Sequence, residues 1–577
     1  MMKKILLLAL ALLALSSAAT ARSTRSVPPA SLPQAVASGD TGPTSTVLWA
    51  RSTAVGNLVI TYGTDPTFAS AIGVITAAVN DPLVPVKLPL LNLNPATDYY
   101  YKVRDAAGAE LNGHFRTAAA PGSRSGLRFG VSGDWRGELS PYPAVANADD
   151  RGLAVFVALG DTIYADYESP VLPGVSQAIS LNQYRLKHTE VYSTRLGLNT
   201  LGDLRSTTSW LATIDDHEVV NDFAGGAPAS SDPRFPPGSG LINDTLRYEH
   251  GLQAFAEYNP LRDEFYGATG DPRTAQERKL YRFSRYGNDA AFFLLDARSF
   301  RDTELPPVTD LNDQGQISAY LTATFALTRT MLGQQQLLDL QQDLLSAEHA
   351  GVLWKFVMVP EPIQNLGVLA ASDRFEGYAA ERTRLLKFIR DNAIRNVVFV
   401  AADIHGTIVN NLSYQDNVGG PQIPVSAFEI TTGPVAFAKP FGPTVAEIAH
   451  NAGLIDDTQY GFYQSLTRPQ KDAFMSAAIN NLLADFGYSP IGLDDGQVDA
   501  TLVSGSYFAT HSYGWTEFDI APGGLLTVTT YGIDWYSAAD LAANPGQVIG
   551  RQPTVISEFT VAPEPPRYSS FIPAIRK

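Results

Sequence analysis

Carboxylates and histidines follow four short apolar runs in this chain of 577 residues. The polar residues at these positions are Asp134, Asp161 with Tyr164, Asp215 with Asp216 and His217, and Asp403 with His405. Oxygen and imidazole ligands suit hard or borderline ions such as Ca²⁺, Mn²⁺, Zn²⁺ and iron, and a tyrosine phenolate suits a ferric ion. Because the chain has no cysteine, thiolate metal sites, disulfides and a cysteine nucleophile are excluded. The pattern predicts a metal centre whose ligands are oxygen and nitrogen atoms.

A centre of this kind with two or more metals suits the hydrolysis of phosphate esters. Bound cations lower the pKa of a water molecule, neutralise phosphoryl oxygens and orient an in-line displacement, and phosphoryl transfer needs little else from the protein. The formal net charge of -16 disfavours nucleic-acid binding as a main role. It also repels phosphate esters, so local cations must attract the substrate. Arg136 and Arg298 are the candidate phosphate-binding residues because a planar guanidinium matches phosphate oxygens, with a structural ion pair as the alternative for Arg298.

The elements that must position these residues form a layered α/β pattern. Runs at 127–131, 154–159, 210–214 and 396–401 are predicted to be buried strands, and helical patterns cover 331–347 and 381–392. The candidate ligands follow the strands' carboxyl ends, where open α/β sheets place their ligands. We also expect a helix over 470–486 and strands over 518–520, 525–532 and 555–561.

An all-β domain is predicted in front of this α/β domain. The β-rich runs at 45–50 and 58–62 are separated by Gly, Pro and Asp turns, and 93–103 has the turn-then-strand pattern of a fibronectin type III-like sandwich. Small residues at 118–125 predict a linker. We therefore expect a β-sandwich domain over 31–120 and a catalytic domain over 126–562.

The first 21 residues have the pattern of a secretory signal peptide. Lys3 and Lys4 precede an apolar run at 5–15, and Ala19-Thr20-Ala21 matches a small-x-small cleavage site. The run is too short to span a bilayer comfortably, and no twin arginine precedes it. We expect a secreted or periplasmic protein that uses the general secretory route and has no membrane span.

Three motifs resemble those of the PhoD-like alkaline phosphatase/phosphodiesterase family, within the metallophosphoesterase superfamily. They are Gly160-Asp161-Thr162-Ile163-Tyr164, Asp215-Asp216-His217-Glu218-Val219 and Ala402-Asp403-Ile404-His405. Similar supporting motifs include Ser38-Gly39-Asp40, Leu295-Asp296-Ala297-Arg298, Trp354-Lys355 and Asp373-Arg374-Phe375-Glu376-Gly377-Tyr378. The resemblance covers roughly residues 31 to 560. It implies a β-sandwich before a metallophosphatase-like catalytic domain, with Ca²⁺ and Fe³⁺ as cofactors.

The resemblance also implies a role for each matching residue. Asp161 would bridge metals, Tyr164 would bind iron, and Asp216 with Asn221 would hold calcium. Asp403 and His405 would complete the cluster, and His217 would act on the leaving group or orient the nucleophile. The chain departs from the family where Ser132-Gly133-Asp134 replaces the frequent Ser-Cys-Gln, because Asp134 then stands in for an iron-binding cysteine. This leaves calcium, manganese and zinc as alternatives to iron.

The predicted function is that of a secreted phosphoric ester hydrolase in which metal-activated water attacks phosphorus. Its substrate would be a small-molecule or polymeric phosphate ester, and the sequence does not separate monoesters from diesters. One alternative is a phospholipase D-like esterase with an apolar entrance, for which Tyr513-Gly514-Trp515 and Trp535-Tyr536 are candidates. The other is a catalytically degenerate, metal-binding surface protein.

Overall fold

The computed structural model describes residues 28–236, 238, 240–368, 370–451, 453 and 455–564. The predicted signal peptide and its cleavage site lie outside these residues. Within them, no helix is long and apolar enough to cross a membrane. The helices are α1 (Leu181–Tyr192), α2 (Thr200–Thr207), α3 (Leu246–Tyr258), α4 (Gln314–Thr324), α5 (Gln334–His349), α6 (Ala379–Asp391), α7 (Phe441–Asn451), α8 (Asp457–Ser465), α9 (Arg468–Asp485), α10 (Ala538–Ala543) and α11 (Pro545–Ile549).

The strands form three sheets. They are β1 (Val36–Gly39), β2 (Ser45–Ala50), β3 (Gly56–Gly63), β4 (Gly73–Val79), β5 (Val86–Leu91), β6 (Asp98–Arg104), β7 (Glu110–Arg116), β8 (Leu127–Ser132), β9 (Val155–Leu159), β10 (Ser209–Thr213), β11 (Arg282–Tyr286), β12 (Ala290–Leu294), β13 (Trp354–Met358), β14 (Val397–Ala401), β15 (Thr407–Tyr414), β16 (Ile423–Thr431), β17 (Asp499–Ser504), β18 (Phe508–Ala509), β19 (Ser512–Ile520), β20 (Leu526–Asp534) and β21 (Thr554–Ala562). The sheet orders are β17-β21-β20-β19-β8-β9-β10-β1-β2-β5, β11-β12-β13-β14-β16-β15-β18 and β4-β3-β6-β7.

The N-terminal strands build a β-sandwich. Strand β6 alternates buried and partly exposed residues, as expected for a strand with one face toward a core. Leu48 from β2 packs in one cluster with Ile60, Tyr101 and Phe115 from the four-stranded sheet. The second layer of this sandwich is β1-β2-β5, which continues into the ten-stranded sheet because β1 pairs in parallel with β10 at Gly39 and Trp210.

The α/β part consists of the ten-stranded and seven-stranded sheets packed face to face. Strands β8, β9 and β10 run parallel in one sheet, and β12, β13, β14 and β16 run parallel in the other. Phe129 of β8 lies between them, stacked on Phe518 at 4.8 Å and edge-on to Phe356 at 4.8 Å between ring centroids. Because layers cover both faces, β9, β10, β12, β13 and β14 are buried throughout, and β9, β12 and β14 are uninterrupted apolar runs.

The predicted fold class is confirmed: a layered α/β domain follows an all-β sandwich. The runs predicted as strands before each candidate ligand are β8, β9, β10 and β14, and the three predicted helices are α5, α6 and α9. Strands β15 and β16 were not predicted. The aromatic entrance considered for a lipid-acting enzyme is wrong for Tyr513, Trp515 and Tyr536, because all three side chains are buried in the core.

Candidate metal centre

Strand register brings the candidate ligands to one edge of the sheets. Ser132 of β8 pairs with Ala158 of β9, and Leu159 of β9 pairs with Thr213 of β10. The three parallel strands therefore end at the same level, and the loops that follow lie side by side. Strand β14 of the facing sheet ends at Ala401, and the Ala402 N–H donates to the carbonyl of Pro360 at 2.8 Å.

Four candidate ligands have a left-handed backbone. The φ angles are 67° at Asp134, 50° at Asp161, 59° at Asp403 and 58° at His405. Residues other than glycine adopt this region at a cost in free energy, and such strain concentrates at functional sites. The left-handed conformation at these residues turns the backbone sharply after the end of each strand.

Two groups of potential ligand atoms share Asp161. Asp134, Asp161 and His405 each place one such atom within 4.8 Å of the others, and so do Asp161, Asp216 and His217. Asp161 belongs to both groups, so its carboxylate would help to hold a cation in either one. Burial, with the charges of Asp216 and Asp215, raises the pKa of Asp161 well above its usual value. Several buried carboxylates this close repel one another unless a cation compensates them.

Several buried polar atoms in the first group, and the hydroxyl of Tyr164 beside it, lack a hydrogen-bond partner. Among the described residues, both carboxylate oxygens of Asp134, the Tyr164 hydroxyl and Nε2 of His405 make no hydrogen bond. His405 Nε2 lies 3.1 Å from Asp134 Oδ1, but without hydrogen-bond geometry. Burial and the charges of Asp161 and Asp134 raise the pKa of Tyr164 well above its usual value. Because unpaired buried polar groups are costly, an oxygen- and imidazole-binding cation fits this arrangement.

His217 is oriented by Asp166. The Nδ1 atom of His217 lies 2.6 Å from Asp166 Oδ1, and Asp166 Oδ2 accepts the backbone N–H of Asn221 at 2.8 Å. Nε2 of His217 lies 3.8 Å from Asp216 Oδ1. Burial alone would lower the pKa of His217, but Asp216 and Asp166 outweigh it and raise the pKa to about 9.

Glu218 connects the loops after β9 and β10. Its Oε1 accepts hydrogen bonds from the backbone N–H of Thr162 at 2.5 Å and from the Thr162 hydroxyl at 2.6 Å. Its Oε2 accepts the backbone N–H of Asp215 at 2.9 Å. The carboxylate is fully buried, so it fixes the spacing between the segments that carry Asp161 and Asp216.

Asp403 lies in a neighbouring acidic cluster. Its carboxylate forms a group with those of Glu361 and Asp373, and not with the group around Asp161. Burial, together with the charges of Asp215 and Asp373, raises the pKa of Asp403 well above its usual value. Glu361 follows β13 as the other ligands follow their strands, a signal that could have identified it, whereas Asp373 lies in a loop with no such signal.

Arg298 lies between these clusters and has no exposed surface. Its Nε donates to Asp215 at 2.5 Å, its two terminal nitrogens donate to Asp373 at 2.6 and 3.0 Å, and it also pairs with Glu361. The guanidinium is therefore engaged by carboxylates on every side, and this geometry does not favour the prediction that Arg298 binds substrate. It instead has the structural ion pairs considered as the alternative.

Arg136 remains at the edge of the metal centre. Its side chain is 14% exposed, forms an ion pair with Glu138 and lies 4.2 Å from the ring centroid of Tyr167.

Phe437 stacks on His405 at 3.7 Å between centroids and packs at 5.3 Å from Tyr164. The Asn221 side-chain amide donates to Asp222. Phe437 was not predicted, because no motif in the sequence marks the loop after β16 that carries it.

Two packed mixed sheets with carboxylates and histidines at their strand ends define a metallophosphatase-like protein. A profile of the PhoD-like phosphatase family matches residues 129–501, and the profile of that family's N-terminal domain matches residues 17–119. The chain therefore belongs to the PhoD-like phosphatase family, and the resemblance seen in its motifs is confirmed.

The chain is also similar to individual proteins of known sequence or structure. Alkaline phosphatase D of Bacillus subtilis (strain 168) is 28% identical over 346 residues, which are 56% of this chain and 53% of that protein. The match thus spans about half the length of the curated relative. A solved structure of PhoD has a TM-score of 0.65 and 20% identity, covers 94% of each chain, and shows the shared fold. A purple acid phosphatase from yellow lupin (Lupinus luteus) seeds gives a TM-score of 0.45 at 11% identity, covering 91% of this chain and 73% of that one.

Proposed function

We propose that this protein is a metal-dependent hydrolase of phosphate esters. The observation that carries the proposal is the convergence of unpartnered, buried atoms of Asp134, Tyr164 and His405 beside Asp161, counted over the described residues. All of these atoms can act as metal ligands, and none of them makes a hydrogen bond within the described residues. Family membership supports the same conclusion.

The proposed ligands form two adjoining sets. Asp134, Asp161, Tyr164 and His405 would hold one cation, and Asp161 and Asp216 would hold a second beside His217. Asn221 and Asp403 are proposed to complete the centre from its edges. We expect Ca²⁺ and Fe³⁺, with manganese or zinc as alternatives to iron because Asp134 offers oxygen where the family often has sulfur. Bound cations would supply charge compensation for the phosphoryl oxygens and an activated water molecule.

The chain's own residues are proposed to handle the leaving group and the substrate. Asp166 occupies Nδ1 of His217, so Nε2 is the nitrogen that can donate a proton to the oxygen released from phosphorus. Arg136 is proposed to bind a phosphate oxygen, since its Nε makes no hydrogen bond within the described part of the chain. Arg298 is proposed to position Asp215 and Asp216 rather than to touch the substrate.

Export is part of the proposal. The basic residues, apolar run and small-residue site at 1–21 support cleavage by signal peptidase and a secreted or periplasmic location. Mass spectrometry of protein recovered outside the cytoplasm should give Arg22 as the first residue. Recovery of a protein that retains Met1 or Met2 would contradict cleavage at this site.

Elemental analysis combined with turnover tests the proposed activity. We expect two or more metals per chain and hydrolysis of bis-p-nitrophenyl phosphate and p-nitrophenyl phosphate that stops on chelation. The ratio of the two rates will distinguish diesterase from monoesterase activity. A protein that stays inactive after Ca²⁺, Fe³⁺, Mn²⁺ and Zn²⁺ are supplied would contradict the proposed hydrolysis of phosphate esters. Bound metal without turnover would favour the alternative of a degenerate surface protein.

A further inference from the structure

A second polar cleft lies beside the metal centre, where helices α7, α8 and α9 meet the ends of β19 and β20. Its volume is about 360 Å³. Three of its lining residues are the cations Lys439, Arg468 and Lys471, and its one lining carboxylate is Asp534. The lining residues therefore carry an excess of positive charge in a chain whose net charge is -16, while the carboxylates of Glu447 and Asp472 lie just behind the lining. Such a concentration of cations attracts phosphate and carboxylate groups.

The cations of the cleft are only weakly engaged. Lys439 pairs with Glu447 and Arg468 pairs with Asp534 at 3.1 Å, but all four side chains are at least 33% exposed. Exposed pairs of this kind contribute little free energy and exchange readily for another anion. Lys471 has no carboxylate partner among the described residues, and its Nζ lies 5.5 Å from the ring centroid of Tyr463.

The floor of the cleft is a rigid hydrogen-bonded series of three buried side chains. The Tyr463 hydroxyl lies 2.7 Å from Nε2 of His511, and Nδ1 of His511 lies 2.7 Å from Asp472 Oδ1. Asp472 also accepts the backbone N–H of Thr510 at 2.7 Å, which fixes its carboxylate. Since Asp472 is an acceptor for Nδ1–H, His511 offers Nε2 to the tyrosine proton. The floor is therefore preorganised and does not consume the charge of the three cations above it.

Short covalent and hydrogen-bonded links connect the cleft to the metal centre. Lys439 follows Phe437 by two residues, and the Phe437 ring stacks on His405 at 3.7 Å. The Phe441 N–H at the start of α7 donates to the carbonyl of His405 at 2.8 Å. Gly442 approaches His511 so closely that a Cβ atom there would lie 2.2 Å from Cε1 of the ring. One layer of residues thus separates the cleft from His405.

We propose that this cleft binds a second phosphate group, carried by the part of the substrate that does not react. The proposal rests on the proposed phosphoesterase function and names its substrate class: phosphate esters with a further phosphate. Lys471 supplies a charge that is unpaired within the described residues, and Lys439 and Arg468 exchange Glu447 and Asp534 for the substrate anion. The binding energy that the second phosphate gains in the cleft would hold the reacting ester at the metal centre.

Binding of thymidine 3′,5′-bisphosphate, measured by calorimetry at low salt on the chelated full chain, tests the cleft directly. Without cations the carboxylates of the metal centre repel the probe, so the heat reports the cleft. We expect binding to the wild-type chain, to Asp161→Asn and to the control Lys387→Gln, an exposed lysine of α6. The double variant Lys439→Gln/Lys471→Gln should bind about tenfold more weakly, since two charge-assisted contacts are lost. Equal binding by the double variant would overturn the proposal.

Turnover by the metal-loaded chain links the cleft to the reaction. The p-nitrophenyl 5′-ester of thymidine 5′-phosphate is compared with the same ester carrying a 3′-phosphate. The 3′-phosphate should lower KM about tenfold in the wild-type chain, and this ratio should approach one in the double variant. Turnover of both esters with a KM ratio unaffected by the double variant would overturn the proposal. Bisphosphate binding without turnover of either ester would contradict the phosphoesterase function and leave the anion site standing.

Discussion

Asp166 Oδ1 and His217 Nδ1 lie 2.6 Å apart, and this contact determines which ring nitrogen faces the metal centre. Because Asp166 accepts the hydrogen bond of Nδ1, the other ring nitrogen, Nε2, points toward Asp216. Carboxylate–imidazole pairs of this kind fix both the tautomer and the ring orientation. The backbone N–H of Asn221 holds the second oxygen of Asp166, so the carboxylate itself cannot rotate freely.

Replacing this carboxylate should impair catalysis more than substrate binding. In Asp166→Asn the charge beside His217 is lost while the hydrogen bond can persist, so we expect kcat for p-nitrophenyl phosphate to fall about 10- to 100-fold. KM should change little, because Asp166 does not face the substrate. Asp150→Asn, on the exposed surface, is the matched control. An unchanged kcat would show that Asp166 is not needed to position His217.

Asp161→Asn should abolish turnover and reduce the metal content together. The amide removes one charge from the carboxylate shared by both ligand groups, and several kcal/mol of charge stabilisation correspond to about a thousandfold or more in kcat. The fold should persist, as measured by circular dichroism, because the carboxylate is destabilising in the absence of a cation. Retained activity would exclude Asp161 from the centre.

Asp134→Cys should shift the metal preference toward iron. A thiolate binds Ca²⁺ and Mn²⁺ less well than a carboxylate does, and the family often has an iron-binding cysteine at this position. Asp134 lies close enough to His405 and Asp161 to hold the same cation as they would. The chelated wild-type and variant chains are incubated with equal concentrations of Ca²⁺, Mn²⁺, Zn²⁺ and Fe³⁺, and the bound metals are then measured. The same metal ratio in both would show that residue 134 is not a ligand.

Removing Arg298 should destabilise the protein strongly. Arg298→Met leaves the buried carboxylates of Asp215, Glu361 and Asp373 without their common partner. We expect the free energy of unfolding in urea to fall by about 3–5 kcal/mol in chelated protein. Arg104→Ala, which removes a 63% exposed side chain with a 3.8 Å contact, should leave the unfolding midpoint unchanged. A variant as stable as the wild type, with a raised KM, would restore the substrate-binding role predicted for Arg298.

His188 should make the protein less stable in acid. The ring is fully buried, stacks on Tyr258 at 5.3 Å between centroids, and has no hydrogen-bond partner in the described part of the chain. Burial, with a smaller effect from Arg205, lowers its pKa from 6.5 to about 3. Below pH 6.5 the unfolded chain therefore binds a proton that the folded chain does not, and stability is lost as the pH falls toward 3.

The size of this effect can be isolated by comparing variants. Between pH 7 and pH 5 the contribution of His188 is about 2 kcal/mol of unfolding free energy. His188→Phe should lose that much less stability than the wild type over the same interval in urea titrations, while exposed His349→Gln should follow the wild type. Parallel losses in His188→Phe and the wild type would show that His188 is protonated in the folded protein.

The sequence predicted those parts of the centre that depend on strand ends. Strands β9 and β14 are uninterrupted apolar runs, so the positions of Asp161 and His405 after them were visible from the residues alone. Helices α5 and α6 were predicted because their apolar residues recur at helical spacing. Strands β15 and β16 were missed because polar residues such as Asn410 and Asn411 interrupt their pattern, although both are buried.

The remaining features of the site depend on contacts between residues that are far apart in the sequence. Whether the Arg298 guanidinium is free or enclosed is decided by Asp215, Glu361 and Asp373, which come from three separate loops. The grouping of Asp403 with Glu361, rather than with Asp161, depends on how the two sheets are placed against each other. Neither arrangement leaves a signal in residue spacing.

The ten-stranded sheet draws its members from both ends of the chain. Strand β8, which leads to Asp134, is flanked by β9 and by β19, and β10 is flanked by β1. During synthesis, β8 must therefore wait for β19 until most of the polypeptide has emerged. The centre becomes a late product of folding, so a nascent chain or a clipped fragment would carry the ligands but not the assembled pocket. If the chain is exported unfolded, as the signal-peptide pattern predicts, it would cross the membrane before these ligands can bind an ion tightly.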